Sequence, residues 1–189
     1  MFFMIKKAFL LFLIIFLISS DHASSFFSEN KPYSTVQDYI DTFKSLAIAE
    51  MNRTGVPASI TMAQAVLESA YGNSELAVNA NNHFGIKTKP DWKGEIYFKG
   101  GCYYKKYKSA LESYIDHSNH LKTRPWYASL FNLQIHDYYK WSYGLKKAGY
   151  AEDPIYAEKL IKLIEKYEFN YYDYCFIPAD SSLAEQKNK

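Results

Sequence analysis

Between Trp92 and Tyr107 this chain carries short β-prone runs about a glycine pair, while helical spacing and helix punctuation run through most of what surrounds them. That imbalance predicts a mainly helical α+β domain with a single hairpin inserted. From Ser34, the positions Val36, Tyr39, Ile40, Phe43, Leu46 and Ala47 recur at helical spacing. Ser34 with Gln37 reads as a capping box, and Gly55 and Pro57 as the stop. Ser59 reads as the cap of a second helix running to about Tyr71, with Gly72 ending it. A short helix is expected after Ser74, then a turn-rich loop at Asn81, Asn82 and Gly85.

In the β-prone stretch, Glu95 to Phe98 and Cys102 to Lys106 flank Gly100 and Gly101, the pattern of a hairpin. Beyond it, Ser109 with Glu112 opens a helix through Leu121, and Asp137 opens another that closes at Gly149. Asp153 followed by Pro154 marks the start of a last helix, expected to bury Ile155, Leu160, Leu163, Ile164 and Tyr167. The domain is therefore placed at 34–173, and residues 174–189 read as a loose polar tail.

The first residues read as targeting signal rather than fold. Lys6 and Lys7 precede an unbroken apolar run from Ala8 to Ile18, and small and polar residues follow through Ser25. Eleven apolar residues are too few for a settled bilayer span, which needs about 20. Residues 1–24 are assigned as a secretory signal peptide, with an uncleaved anchor as the alternative. Export to the periplasm, the medium or the cell wall is expected, with no membrane association once the signal is removed. In an oxidising compartment Cys102 and Cys175 could pair, and two independent thiols are the alternative. The net charge of +2 and the lack of a basic run with interleaved aromatics argue against nucleic acid as a partner. The 18 tyrosines suit a sugar-binding groove or a core with hydroxyls at its edge, and composition favours the second.

Carboxylates are the one plausible source of catalysis. No phosphate-binding glycine loop, nucleophile elbow or zinc-finger cysteine pair is present. His117 and His120 lack a third ligand nearby in sequence and read as surface residues, so neither a metal nor another cofactor is expected. Glu68 is the acid of interest. On the helical wheel Ile60, Ala63, Leu67 and Tyr71 share the apolar side, and Thr61, Gln64 and Glu68 form a polar seam at its margin. Its place in the last turn, where the helix dipole is negative, pushes its pKa upward, as a proton donor at neutral pH requires. Periodicity alone favours a solvated glutamate on a helix margin.

Four blocks carry a family resemblance. The run Gly55-Val56-Pro57-Ala58-Ser59-Ile60-Thr61-Met62-Ala63-Gln64-Ala65-Val66-Leu67-Glu68-Ser69 resembles the hallmark helix of bacterial endo-β-N-acetylglucosaminidases of glycoside hydrolase family 73, which includes autolysins and the flagellar muralytic domain. Asn81-Asn82-His83-Phe84-Gly85-Ile86-Lys87, Arg124-Pro125-Trp126-Tyr127-Ala128 and Gly149-Tyr150-Ala151-Glu152-Asp153-Pro154-Ile155-Tyr156-Ala157 resemble further blocks of that family, in the family's order.

The resemblance implies a lysozyme-like helical lobe and a small hairpin lobe flanking a glycan cleft. It implies cleavage of peptidoglycan at the β-1,4 link between N-acetylglucosamine and N-acetylmuramic acid, by a monomer. Glu68 would be the general acid and Tyr150 a tyrosine near the reacting sugar. Gln64, Asn82, Phe84 and Tyr127 would shape or line the groove, with core packing the alternative for Phe84 and Tyr127 and side-chain to backbone bonds that hold its loop the alternative for Asn82. Glu95 is the candidate for the water-activating base, although its register does not match clearly, and the substrate's 2-acetamido group could serve instead. A muramidase or lytic transglycosylase shares the same expected architecture, and a wall-binding protein that has lost catalysis is the non-enzymatic alternative.

Overall fold

The computed structural model describes residues 33–175. The signal-peptide assignment at 1–24 and nearly all of the tail lie outside them. Six α-helices, two 3₁₀ helices and one two-stranded antiparallel sheet follow in the order α1 (Val36–Thr54), α2 (Ala58–Ser69), α3 (Glu75–Ala80), β1 (Ile96–Lys99), β2 (Cys102–Lys105) and α4 (Ala110–Thr123). The first 3₁₀ helix (Pro125–Asn132), α5 (Tyr138–Lys147), α6 (Tyr156–Lys166) and the second 3₁₀ helix (Phe169–Tyr174) complete the elements of the described residues.

The centre of the fold is α2. Every residue from Ala58 to Val66 is buried, and α1, α5, α6 and the second 3₁₀ helix all pack on it. Small residues at Ala58, Ser59, Ala63, Ala65 and Ser69 let these neighbours close from several sides. The polar seam expected at a margin is therefore interior: Thr61 and Gln64 are as buried as Ile60, and Glu68 is the seam's outlet to the surface.

Several caps differ from the sequence expectation. Thr35, not Ser34, caps α1, in a reciprocal box with Asp38. Ser59 is not the cap of α2, whose N-cap Pro57 offers no side-chain acceptor. Instead Asp173 crosses from the second 3₁₀ helix and takes hydrogen bonds from the Ser59 N–H (2.8 Å) and Oγ (2.6 Å). A carboxylate suits a helix N-terminus, yet burial dominates here and raises the Asp173 pKa to about 6. The chain leading up to Asp173 is thus tied into the core, where a loose tail was expected to begin just after it. Asp153 and Pro154 form a turn before α6 rather than its first turn, which leaves Ile155 exposed while Tyr156, Ala157, Leu160, Ile161 and Ile164 are buried.

Three consecutive left-handed residues, Ala70, Tyr71 and Gly72, turn the chain sharply out of α2. At Gly72 a Cβ would stand 2.6 Å from the Tyr33 ring and 2.8 Å from the Tyr39 ring. Gly72→Ala combines a strained φ with this overlap, and is expected to cost about 2 kcal/mol of stability. Urea unfolding of the two proteins checks it; an unchanged midpoint would show that the turn relaxes freely.

The hairpin pairs Ile96 with Lys105 and Lys99 with Cys102, and the segment after α3 extends it as a third edge. Lys105 N donates to Ile86 O and Thr88 N to Tyr103 O, both at 2.9 Å. Cys102, in the hairpin, and Cys175, just after the second 3₁₀ helix, are both free thiols, so the expected bridge is absent. That 3₁₀ helix packs on α1, α2 and α6, whereas the hairpin is held by the Ile86–Thr88 edge.

Candidate active site

An open cleft of about 540 Å³ runs between the helical body and the hairpin side. Glu68 lies in its wall, with Phe84, His117, Tyr127 and Tyr150 from the body and Trp92, Tyr104 and Lys105 from the hairpin side. Glu68 is half-buried, and its pKa is raised. Burial is the first cause; the hydrogen bond from Tyr156 Oη (3.1 Å) and the charge of Lys159 oppose it without cancelling it.

Behind Glu68 runs a buried relay whose polarity can be deduced atom by atom. Tyr156 Oη donates to Glu68 Oε1, so its lone pair receives the Gln64 Nε2–H at 3.0 Å. Gln64 then turns Oε1 toward His117 Nε2, also at 3.0 Å, and that nitrogen must carry the ring proton. Burial lowers the His117 pKa to about 3, so the ring is neutral, as the relay requires. The Phe84 ring stacks on the imidazole with centroids 3.9 Å apart. His117 is thus fully buried, which corrects its reading as a surface residue; two ring faces and one hydrogen bond fix its orientation.

The expected site residues divide into three groups. Glu68, Phe84, Tyr127 and Tyr150 meet on the cleft wall, and Tyr150 stacks on Tyr156 at 5.6 Å and lies 6.2 Å from Tyr127. Gln64 and Asn82 do not line the cleft. Gln64 is the middle of the relay, and Asn82 is buried with Nδ2 donating to Ile86 O (3.0 Å) and Lys105 O (2.8 Å) while Oδ1 accepts from Ile86 N. Its amide therefore holds the 82–86 loop to the hairpin. Glu95 stands apart from the cleft lining, exposed and ion-paired to Lys106 at 2.8 Å, and this pairing lowers its pKa. Asp91, four residues earlier, does line the cleft.

Sequence reasoning missed Tyr156 and the role of His117. Tyr156, two residues beyond Pro154, carries no local signal of a role, and its contact with Glu68 spans 88 residues. The histidine pair invited a question about metals, whereas the partner of His117 is a glutamine 53 residues away. Among the described residues no three His, Cys, Asp or Glu side chains converge to hold a metal ion.

A helical body built around a central helix carries a half-buried glutamate at that helix's end, facing a hairpin across an open cleft, and solved structures that superpose on it are glycoside hydrolase domains. The family described as mannosyl-glycoprotein endo-beta-N-acetylglucosaminidase matches residues 44–169, and the chain belongs to it. Exo-glucosaminidase LytG of Bacillus subtilis is 34% identical over 160 residues, covering 77% of this chain and 56% of that protein. The glycoside hydrolase domain of Salmonella typhimurium FlgJ superposes with a TM-score of 0.61 at 26% identity, covering 82% of this chain and 99% of the domain. The catalytic domain of the Listeria monocytogenes autolysin Auto gives 0.63 at 26% identity, covering 82% and 95%. The chain spans about half the length of the curated relatives it matches.

Proposed function

We propose that this domain hydrolyses the glycan strands of peptidoglycan at the β-1,4 bond between N-acetylglucosamine and N-acetylmuramic acid, with Glu68 as general acid. The observation that carries the reading is the half-buried Glu68 carboxyl in the cleft wall, with its pKa raised by burial. An acid that protonates a departing glycosidic oxygen must hold its proton near neutral pH and still reach the substrate. Tyr156 fixes one carboxyl oxygen, which leaves the other for the leaving group. Phe84, Tyr127 and Tyr150 offer aromatic wall to the flat C–H faces of the sugars.

Glu95 is not part of the cleft lining, so in place of a separate water-activating base we assign Glu68 both proton steps and the attack on the anomeric carbon to the substrate's own 2-acetamido oxygen. Glu68 gives its proton to the leaving oxygen, and its carboxylate then takes one from the water that opens the oxazoline. Attack by that oxygen needs only one protein carboxylate, the acid. Glu95→Gln should then keep turnover within about threefold of the parent, against the 10²–10⁴-fold loss typical of a missing acid or base. A loss of about a hundredfold would return the role to Glu95, and the same loss in Asp91→Asn would transfer it to the cleft-wall aspartate.

Mass spectrometry of digested peptidoglycan tests the bond assignment. New reducing-end N-acetylglucosamine is expected. Muramic acid or anhydromuramic ends would make the domain a muramidase or a lytic transglycosylase, and undigested strands would leave it a binding protein. Action outside the cytoplasmic membrane, as a monomer, completes the reading; it rests on the Lys6–Ile18 pattern and the wall substrate. Among the described residues no helix is long and apolar enough to cross a membrane.

A further inference from the structure

The cleft carries more positive charge than its proton donor needs. Lys87, Lys89, Lys105 and Arg124 line it, against Glu68 and Asp91. Lys105 is committed to Asp116 at 2.9 Å, but Lys87, Lys89 and Arg124 have no ion-pair partner among the described residues. Two of these free cations converge on one half-exposed ring. Lys89 Nζ lies 5.8 Å and the Arg124 guanidinium carbon 5.7 Å from the centre of the Trp126 indole. The field is felt by a neighbour: after burial, Arg124 is the next cause that lowers the His120 pKa, and Lys89 and Lys105 act in the same sense while Asp116 opposes them. Among the described residues Lys89 and Arg124 have no carboxylate paired with them, so an anion entering the cleft beside them meets unneutralised positive charge.

Resting on the glucosaminidase reading, we propose that Lys89, Arg124 and Trp126 form an anionic subsite for a carboxylate-bearing substituent on the glycan strand, the class to which the peptide stem of muramic acid belongs. The guanidinium fork suits a carboxylate, and Lys89 adds a second charge from the opposite chain segment. The indole supplies an apolar floor for the alkyl part of the same substituent. The catalytic acid reads the sugar bond, and this subsite reads what hangs beside it. The domain would therefore favour strands whose side groups keep a free carboxylate.

The test uses one peptidoglycan preparation before and after its carboxylates are converted to neutral amides with carbodiimide and ammonia. The parent protein is expected to show about tenfold lower kcat/KM on the amidated polymer, and a smaller difference in high salt. The double variant Lys89→Gln, Arg124→Gln should treat the two polymers alike. Equal turnover of both polymers by the parent, or a preference that survives in the double variant, overturns the subsite. Co-sedimentation of Glu68→Gln protein with each polymer needs no catalysis and separates the two ideas. Preferential binding to the unmodified polymer supports the subsite even if no bond is cut, and equal binding rejects it even if the acid assignment stands.

Discussion

Glu68→Gln is expected to lower peptidoglycan hydrolysis by 10² to 10⁴-fold while leaving the domain folded. Glutamine keeps the length of the side chain and can still accept the hydrogen bond from Tyr156, so the relay behind it is preserved. It cannot give a proton to a leaving oxygen. The pH dependence of the parent follows from the same group. The acid is active when protonated, so the alkaline limb of kcat/KM should lie above the ordinary glutamate range, in the direction that burial shifts the group. Release of reducing ends, followed across pH for both proteins, checks both statements. A folded variant that digests the polymer at the parent rate would remove Glu68 from the mechanism.

The same substitution makes a statement about stability, and its sign can be worked out. The folded pKa of Glu68 is raised above its unfolded value. The stability linked to this group is therefore complete below the unfolded pKa and is lost as pH rises through the folded one. At neutral pH the native fold holds a carboxylate where water is partly excluded, and the neutral amide of the variant relieves that cost. Thermal unfolding at pH 7 should find the variant at least as stable as the parent, with the gap closing as pH falls below 4 (on the order of the unfolded glutamate pKa). Asp173 acts in the same direction, its pKa raised to about 6, and so adds to the loss of stability on going from mildly acid to neutral pH.

How far the sequence carried depended on the range of the interaction concerned. The helices at 36–54, 110–123 and 138–147 and the hairpin about Gly100 and Gly101 were legible because their signals are local: apolar spacing, a side-chain cap, a glycine pair. The hallmark helix made Glu68 legible as a candidate, and the cleft wall accordingly receives Phe84, Tyr127 and Tyr150 as well. What stayed hidden was long in range. The cap of α2 is Asp173, 114 residues from Ser59, so a serine beside a helix start misled. Gln64 was read as a groove residue because a polar side chain in a hallmark block suggests ligand contact, and for Asn82 it is the alternative, a loop held by side-chain to backbone bonds, that the structure shows. Each satisfies buried polar groups that no periodicity reveals. The cysteine pairing was an argument about compartment, and compartment says nothing about which elements lie near one another.

Gln64 is where the central helix can be tested most severely, and Gln64→Leu is expected to cost about 3 kcal/mol, or roughly 10 °C in Tm for a domain of this size. Leucine matches the volume and needs no partner itself, so the cost falls on the groups left behind. The His117 Nε2–H, fully buried, loses its acceptor, and its Nδ1 already has no hydrogen-bond partner among the described residues. Tyr156 Oη loses the donor that fixes its lone pair, although it can still donate to Glu68. A buried polar group stripped of its partner costs about 1–3 kcal/mol; His117 loses its acceptor outright, and Tyr156 loses one of its two partners. Folded domains of this kind hold about 5–15 kcal/mol in total, so the variant should remain folded and measurable. Because the relay also sets the angle at which Tyr156 meets Glu68, the surviving protein should lose activity at temperatures well below its own Tm. His117→Phe in the Gln64→Leu background supplies a cross-check: it removes the orphaned ring nitrogens and keeps a flat face for Phe84, and should recover part of the lost stability but none of the activity. If Gln64→Leu alone unfolds within about 0.5 kcal/mol of the parent, the interior chain from His117 to Glu68 is not holding the core as its hydrogen bonds imply.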